Sequence, residues 1–168
     1  MATSSVVKNF SDGTLTITDA TGTPISCVVR FSQGDLKIDG LKAKLRDTVA
    51  YQARGAITSV RHTTRAMVSG SFTCHMSEFS SASANDAIDA MCKTGAFSAG
   101  VSKLGASAEV WAVDLTWAIE GTNHGDSGDH TLTIGTCEGT VSIAEGDPNT
   151  ISVAFVSYGT ISGDLSIS

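Results

Sequence analysis

Residues 104–168 contain no lysine and no arginine. Charge of either sign is scarce throughout, at 17% Asp, Glu, Lys and Arg, where about a quarter is usual for a soluble domain. A chain so poor in cations, and acidic overall at a net charge of -6, is a weak candidate for tight DNA binding. No apolar run approaches the roughly 20 residues that span a bilayer as a helix. Met1 to Phe10 lacks a charged-then-apolar pattern, so no export signal is expected. The four cysteines, Cys27, Cys74, Cys92 and Cys137, form no CxxC pair. That spacing excludes a conventional zinc site and favours reduced thiols over a disulfide framework. Neither a G-x-x-x-x-G-K-[ST] phosphate loop nor a G-x-G-x-x-G fingerprint is present.

Serine and threonine fill the space left by charge, at 42 of 168 residues, alongside 41% apolar residues and 17 glycines. At this length the chain reads as one domain, residues 1–168, with a genuine core. Its charge is strongly polarised. Up to Lys103 there are eleven cations against eight acids, a net of +3; beyond it there are nine acids alone, a net of -9. Lys42, Lys44, Arg46, Arg54, Arg61 and Arg65 crowd one window whose single acid is Asp47. Such asymmetry marks either a nucleic-acid surface or a protein complementary to itself, and Tyr51 is the one aromatic among those cations.

Strand periodicity dominates. Leu15 and Ile17 alternate with threonines, and Asp19 to Pro24 reads as a turn. Ile25, Cys27, Val29 and Phe31 share one face, and Leu36 with Ile38 follows. Val68, Phe72, Cys74 and Met76 are the apolar side of a strand whose other side, Ser69, Ser71, Thr73, His75 and Ser77, is polar and almost uncharged. Trp111 to Ile119 alternates most cleanly. Two further strands, near 131–143 and 150–158, flank a turn at Glu145-Gly-Asp-Pro148. The apolar phase shifts between Ile134 and Val141, as a β-bulge at Gly135 or Gly139 would cause. One helix is expected near 84–94, with Ala84, Ala87, Ile88, Met91 and Cys92 in one stripe, Ser83 with Asp86 at its start and Gly95 at C′. The expected fold is therefore mainly β, a β-sandwich or barrel with one flanking helix. The segment from about 40 to 64 fits no regular element and reads as a long extended loop, of a length that is usually functional or ordered by a partner.

Catalytic and metal motifs are weak. Gly125-Asp-Ser-Gly-Asp129 resembles the nucleophile loop of chymotrypsin-like proteases, but Asp129 replaces the final glycine and neither His62 nor His75 has the setting of a catalytic base. A tight turn explains the same residues. His124, Asp126, Asp129 and His130 match no EF-hand register. No catalytic residue, metal ligand or cofactor is expected.

The order of elements, with Val49-Ala-Tyr-Gln-Ala-Arg-Gly-Ala-Ile57 running into Ser69-Gly-Ser-Phe-Thr73, then Trp111-Ala-Val-Asp-Leu-Thr-Trp117 and Glu145-Gly-Asp-Pro-Asn-Thr-Ile-Ser-Val153, resembles the tail tube (major tail) proteins of long-tailed bacteriophages over nearly the whole chain. The resemblance implies a non-enzymatic β-sandwich subunit that closes into hexameric rings. Those rings would stack into a tube that conducts DNA without sequence-specific binding. It further implies tape measure, tail terminator and tail tip or baseplate proteins as partners, no membrane insertion, assembly in the host cytoplasm and a place in the virion tail. The basic residues Lys42, Lys44, Arg46, Arg54, Arg61 and Arg65 and the acidic residues Asp126, Asp129, Glu145 and Asp147 are the candidates for contacts between subunits or rings, since a head-to-tail contact joins unlike surfaces. Ser69, Ser71, Thr73 and Ser77 are the candidates for the channel wall, where cations would retard DNA by holding its phosphates. The tube of a type VI secretion-like injection system, or a monomeric capsid decoration or fibre module, would share much of this pattern.

Overall fold

A computed structural model describes residues 13–29, 35–41, 46–65, 67–76, 87–122 and 128–163. Ten strands, one short α-helix and one 3-10 turn make up the described chain. In order these are β1 (Thr14–Thr18), β2 (Ser26–Val29), β3 (Lys37–Asp39), β4 (Arg46–Ala53), β5 (Ala56–Arg65), β6 (Val68–His75), α1 (Ala87–Cys92), the 3-10 turn Gly95–Ala99, β7 (Val113–Ile119), β8 (His130–Ala144), β9 (Thr150–Ser157) and β10 (Ile161–Gly163).

Eight strands form one antiparallel sheet in the order β2-β1-β7-β8-β9-β6-β3, with β10 also on β8. Flat, its seven-strand path would hold β2 and β3 about 29 Å apart at the usual strand spacing. Val29 ends β2, and only six residues later the carboxylate of Asp35 accepts a bond from the Thr73 amide of β6 at 2.8 Å. That link is short for strands so far apart along the sheet, and Leu15, Ile17 and Cys27 of β1 and β2 share one buried cluster with Phe72 and Cys74 of β6, so the sheet curls on itself. Two layers result, sharing β8 as their corner.

The corner lies where the apolar phase shift falls. The β7–β8 register slips between Val113↔Cys137 and Leu115↔Ile134, leaving Gly135 and Thr136 bulged, with Thr136 at φ 53. Before the bulge β8 pairs with β7 and β10; after it β8 pairs with β9. The bulged groups are all satisfied. Asp114 Oδ1 accepts the Thr136 amide at 2.8 Å while Asp114 Oδ2 pairs with Lys103 at 2.9 Å. Gly135 donates to the Thr160 carbonyl, and its own carbonyl accepts from Ser157 Oγ at 2.7 Å and from the Gly159 amide.

Between the layers Leu15, Ile17, Cys27, Phe72, Cys74, Leu115, Leu132, Ile134, Ile151, Val153 and Phe155 are all buried. Each large side chain removed from water contributes roughly 1.5–3 kcal/mol. The short helix docks Ala87, Ala90 and Met91 on this core, and Phe97 of the 3-10 turn is fully buried beside it. Residues 84–86, where the sequence begins the helix, lie outside the described residues. Two details correct the sequence reading. Cys92 is exposed rather than in the buried stripe, whereas Cys27, Cys74 and Cys137 are buried, and no disulfide joins any of the four. The helix stops at Cys92 because Lys93 turns left-handed (φ 57), two residues before Gly95. Gly95 is needed for another reason: at φ 50, any Cβ there would collide with the Asp89 carboxylate.

Asp19 is the buried polar anchor of the opposite end. Its carboxylate accepts the amides of Ile25 (2.8 Å) and Val101 (3.1 Å) and the hydroxyl of Thr21, tying the β1–β2 turn to the connector after the helix. Burial opposes the charge on Asp19, but these hydrogen bonds outweigh it and hold the carboxyl below its ordinary value of 3.8. A depressed value stabilises the fold above that pH and ceases to do so as the pH falls through it. Replacing Asp19 with Asn should cost about 1–3 kcal/mol at neutral pH and flatten the acid limb of stability. Urea unfolding midpoints of both proteins at several pH values between neutrality and pH 3 check both effects.

Candidate functional site: a detached hairpin and a neutral sheet face

The segment expected to be an extended loop without regular structure is instead a β-hairpin. Strands β4 and β5 pair antiparallel with each other and with no other described strand. Arg54 (φ 51) and Gly55 (φ 82) form its two-residue turn, both left-handed, as a type I′ hairpin requires. The Thr58 hydroxyl donates to the Tyr51 carbonyl at 2.9 Å, beside a register shift between Tyr51 and Gln52. The sequence hid these strands because apolar residues occur on both faces, so no two-residue alternation stands out. Val49, Tyr51, Ile57 and Val60 are 41%, 52%, 63% and 61% exposed. No other described element packs against the hairpin beyond marginal contact.

The basic candidates are gathered here only in part. Arg54 sits at the exposed tip and Arg61 is exposed on β5, while the backbones of Arg46 and Arg65 pair at the open end. Lys42 and Lys44 lie outside the described residues, and so does Asp126. Among the acidic candidates, Asp129 is exposed and already engaged, accepting the Thr122 amide (3.1 Å) and hydroxyl (2.9 Å), which hold its carboxyl below the ordinary value. Glu145 and Asp147 are exposed in the β8–β9 turn, which the Asn149 side chain braces by accepting the Gly146 amide at 2.8 Å. The basic and acidic groups thus occupy separate elements, with no described ion pair joining them.

Ser69, Ser71 and Thr73 share the outer face of β6, opposite Phe72 and Cys74, which are buried; Ser77 lies outside the described residues. Register extends this face across the sheet. Ser71 stands beside Ala154 and Thr140, and Thr73 beside Ser152 and Ser142. Sequence reasoning missed Thr140, Ser142 and Ser152, although each alternates with a residue of the apolar face, because only pairing brings the three strands together. A shallow cleft of about 420 Å³ runs over the face, with Asp39, Ser69, Glu138, Thr140, Ala154 and Tyr158 along it. Its charges are few: Lys37 pairs with Asp39 at 3.0 Å, and Glu138 accepts the Tyr158 hydroxyl at 2.7 Å, which raises the Tyr158 phenol above its ordinary value. A second uncharged ladder, Thr16, Thr116 and Thr133, crosses β1, β7 and β8, with Thr116 and Thr133 hydroxyls 3.3 Å apart.

The most perturbed thiol, Cys137, is pushed up to about 12 by burial, reinforced by the Asp114 charge, which makes it unreactive. Among the described residues no three His, Cys, Asp or Glu side chains converge as metal ligands, and the His124 and Asp126 of the candidate metal loop lie outside those residues.

No protein-family model matches the chain and no curated protein matches it. Among solved structures it is similar in fold to the sheath/tube terminator of PVC, an extracellular contractile injection system, in the extended state, with 9% identity, a TM-score of 0.53, and 90% of this chain and 92% of that chain covered. It is likewise similar to the anti-feeding prophage cap, the AFP tube-terminating cap, with 9% identity, a TM-score of 0.55, and 98% and 94% covered. The likeness extends over essentially whole chains on both sides, so the mainly-β architecture is shared as a unit.

Because the hairpin stands apart, damage to its turn should remain local. Gly55→Val, which forces a β-branched residue to φ 82, should raise trypsin cleavage at Arg54 and Arg61 severalfold. The global thermal midpoint should stay within about 1–2 °C of the wild type.

Proposed function

We propose that this protein is a structural, non-enzymatic subunit of a tail-like tube. In this reading it assembles with copies of itself into hexameric rings that stack around a central channel, as the resemblance to phage tail tube proteins implies. The detached hairpin carries the proposal: a two-stranded ribbon with bare apolar residues and its own arginines is marginal in water alone and gains its stability from a partner. The full-length fold likeness to two tube-terminating proteins of injection systems supports a tail-associated role. The cations of residues 42–65 and the acids beyond Leu104, including Glu145 and Asp147, supply unlike surfaces for a head-to-tail contact, the kind that yields both rings and open stacks. The neutral face of Ser69, Ser71, Thr73, Thr140, Ser142 and Ser152 is the proposed channel wall. Among the described residues its one cation, Lys37, is paired with Asp39, so the face offers DNA phosphates little to hold them. The tape measure, terminator and tip or baseplate proteins would meet the subunit at the ends and lumen of the tube.

A second reading follows from the same neighbours: a terminator that forms one ring capping a tube. The two differ in whether rings continue to stack. Reversing Lys42, Lys44 and Arg46 together to Glu should abolish large species in sedimentation velocity at low salt while leaving the circular dichroism spectrum unchanged. Tubes of wild-type length from that variant would refute charge-complementary assembly, and wild-type rings that never stack would favour the terminator.

A further inference from the structure

The cleft on the outer face of β3, β6, β9 and β8 is built from two parallel rows of side chains. One row, Asp39, Ser69, Val156 and Glu138, crosses all four strands in register. The next, Lys37, Ser71, Ala154 and Thr140, runs beside it. Between them lies a shallow trough floored by the backbone of Gly70, Phe155 and Gly139. Its middle holds only short side chains, and a carboxylate marks each end. Asp39 pairs with Lys37 through Oδ2 at 3.0 Å, and Glu138 accepts the Tyr158 hydroxyl on Oε2 at 2.7 Å. The second oxygen of each carboxylate accepts no bond from a described residue. Two acids against one lysine leave the trough negative, and the hydroxyls of Ser69, Ser71 and Thr140 add acceptors between its ends. One metal ion cannot use this arrangement. The Asp39 and Glu138 backbones stand about 14 Å apart across three strand spacings, whereas a shared ion needs its oxygens within about 2.6 Å.

We infer that this trough binds a linear polyamine, with one ammonium at Asp39, another at Glu138 and the methylene chain over Ala154 and Val156. Charge complementarity selects the ligand. An acceptor-rich trough with separated carboxylates suits a long, flexible cation that carries charge at both ends and donors along its length. Tyr158, 41% exposed, adds an aromatic ring at the Glu138 end, where an ammonium gains a cation–π contact. Neither end alone holds a cation well, because a single exposed ion pair contributes little. Joined by one chain, the two contacts reinforce each other, since the second forms within a complex that the first has already made. The site lies on a single subunit and does not depend on whether copies assemble.

Calorimetric titration of the dilute full-length chain at low ionic strength, with spermidine, spermine and butylamine, tests this directly. Spermidine and spermine should bind with one-to-one stoichiometry and about tenfold or more tighter than butylamine. Asp39→Asn and Glu138→Gln should each weaken spermidine roughly threefold or more and shrink its advantage over butylamine. Both changes preserve side-chain shape at exposed positions, and an unchanged circular dichroism spectrum verifies the fold. An acidic chain attracts polyamines over its whole surface, so Glu145→Gln with Asp147→Asn, outside the trough, serves as the control and should leave the affinity unchanged. No saturable spermidine binding at millimolar concentration would overturn the site. So would equal affinity for spermidine and butylamine, or a loss in the control pair as large as in the trough variants. None of these outcomes touches the assembly reading, which sedimentation tests separately.

Discussion

The bulge in β8 is the constraint on which the rest of the structure depends. A 15-residue strand cannot serve two layers unless it turns between them, and it turns at Gly135 and Thr136, where its register against β7 slips. Such a turn strips backbone groups of their ladder partners, and each one left unsatisfied would cost roughly 1–3 kcal/mol. Asp114 recovers the Thr136 amide, while Ser157, Gly159 and Thr160 recover the groups of Gly135. Lys103 neutralises Asp114, so the carboxylate is held at the corner with its charge answered.

Two surfaces of the fold follow from that corner. Folding the sheet encloses one face of every strand, and the apolar residues take it. The opposite faces are left to serine and threonine, whose hydroxyls satisfy the backbone and each other without charge. The outer surface of β6, β9 and the second half of β8 is thereby sparsely charged, with Glu138 at its edge and the Lys37–Asp39 pair on the adjoining β3. The hairpin is the complement. It takes no place in the folded sheet, and Val49, Tyr51, Ile57 and Val60 stay exposed among the described residues. Low overall charge, a sparsely charged face and an exposed apolar ribbon occur together on this chain.

How much of this was legible beforehand depends on whether a residue's role is local. The main strands were, because burial on one side only imprints a two-residue period, clearest at Trp111 to Ile119. So was the bulge, because a register slip moves the apolar phase from Ile134 to Val141. The hairpin was not, since both faces of β4 and β5 carry apolar residues and the period vanishes. The helix end was misplaced by two residues because Lys93, rather than a glycine, takes the left-handed conformation, its ammonium lying 5.2 Å from the Trp111 ring centre. At the candidate site, Ser69, Ser71 and Thr73 were found from a single strand. Thr140, Ser142 and Ser152 were not, because membership of a face spanning three strands is decided by pairing. The charge split at Lys103 was plain in the sequence, yet which element carried the cations was not.

Electron microscopy of the purified full-length chain, concentrated at low ionic strength, tests the central claim most directly. The account predicts rings or stacked tubes with an open central channel whose wall is formed by the outer face of β6, β8 and β9. Particles that stay single subunits across the whole concentration range, or rings whose channel is lined by the hairpin arginines, would contradict it.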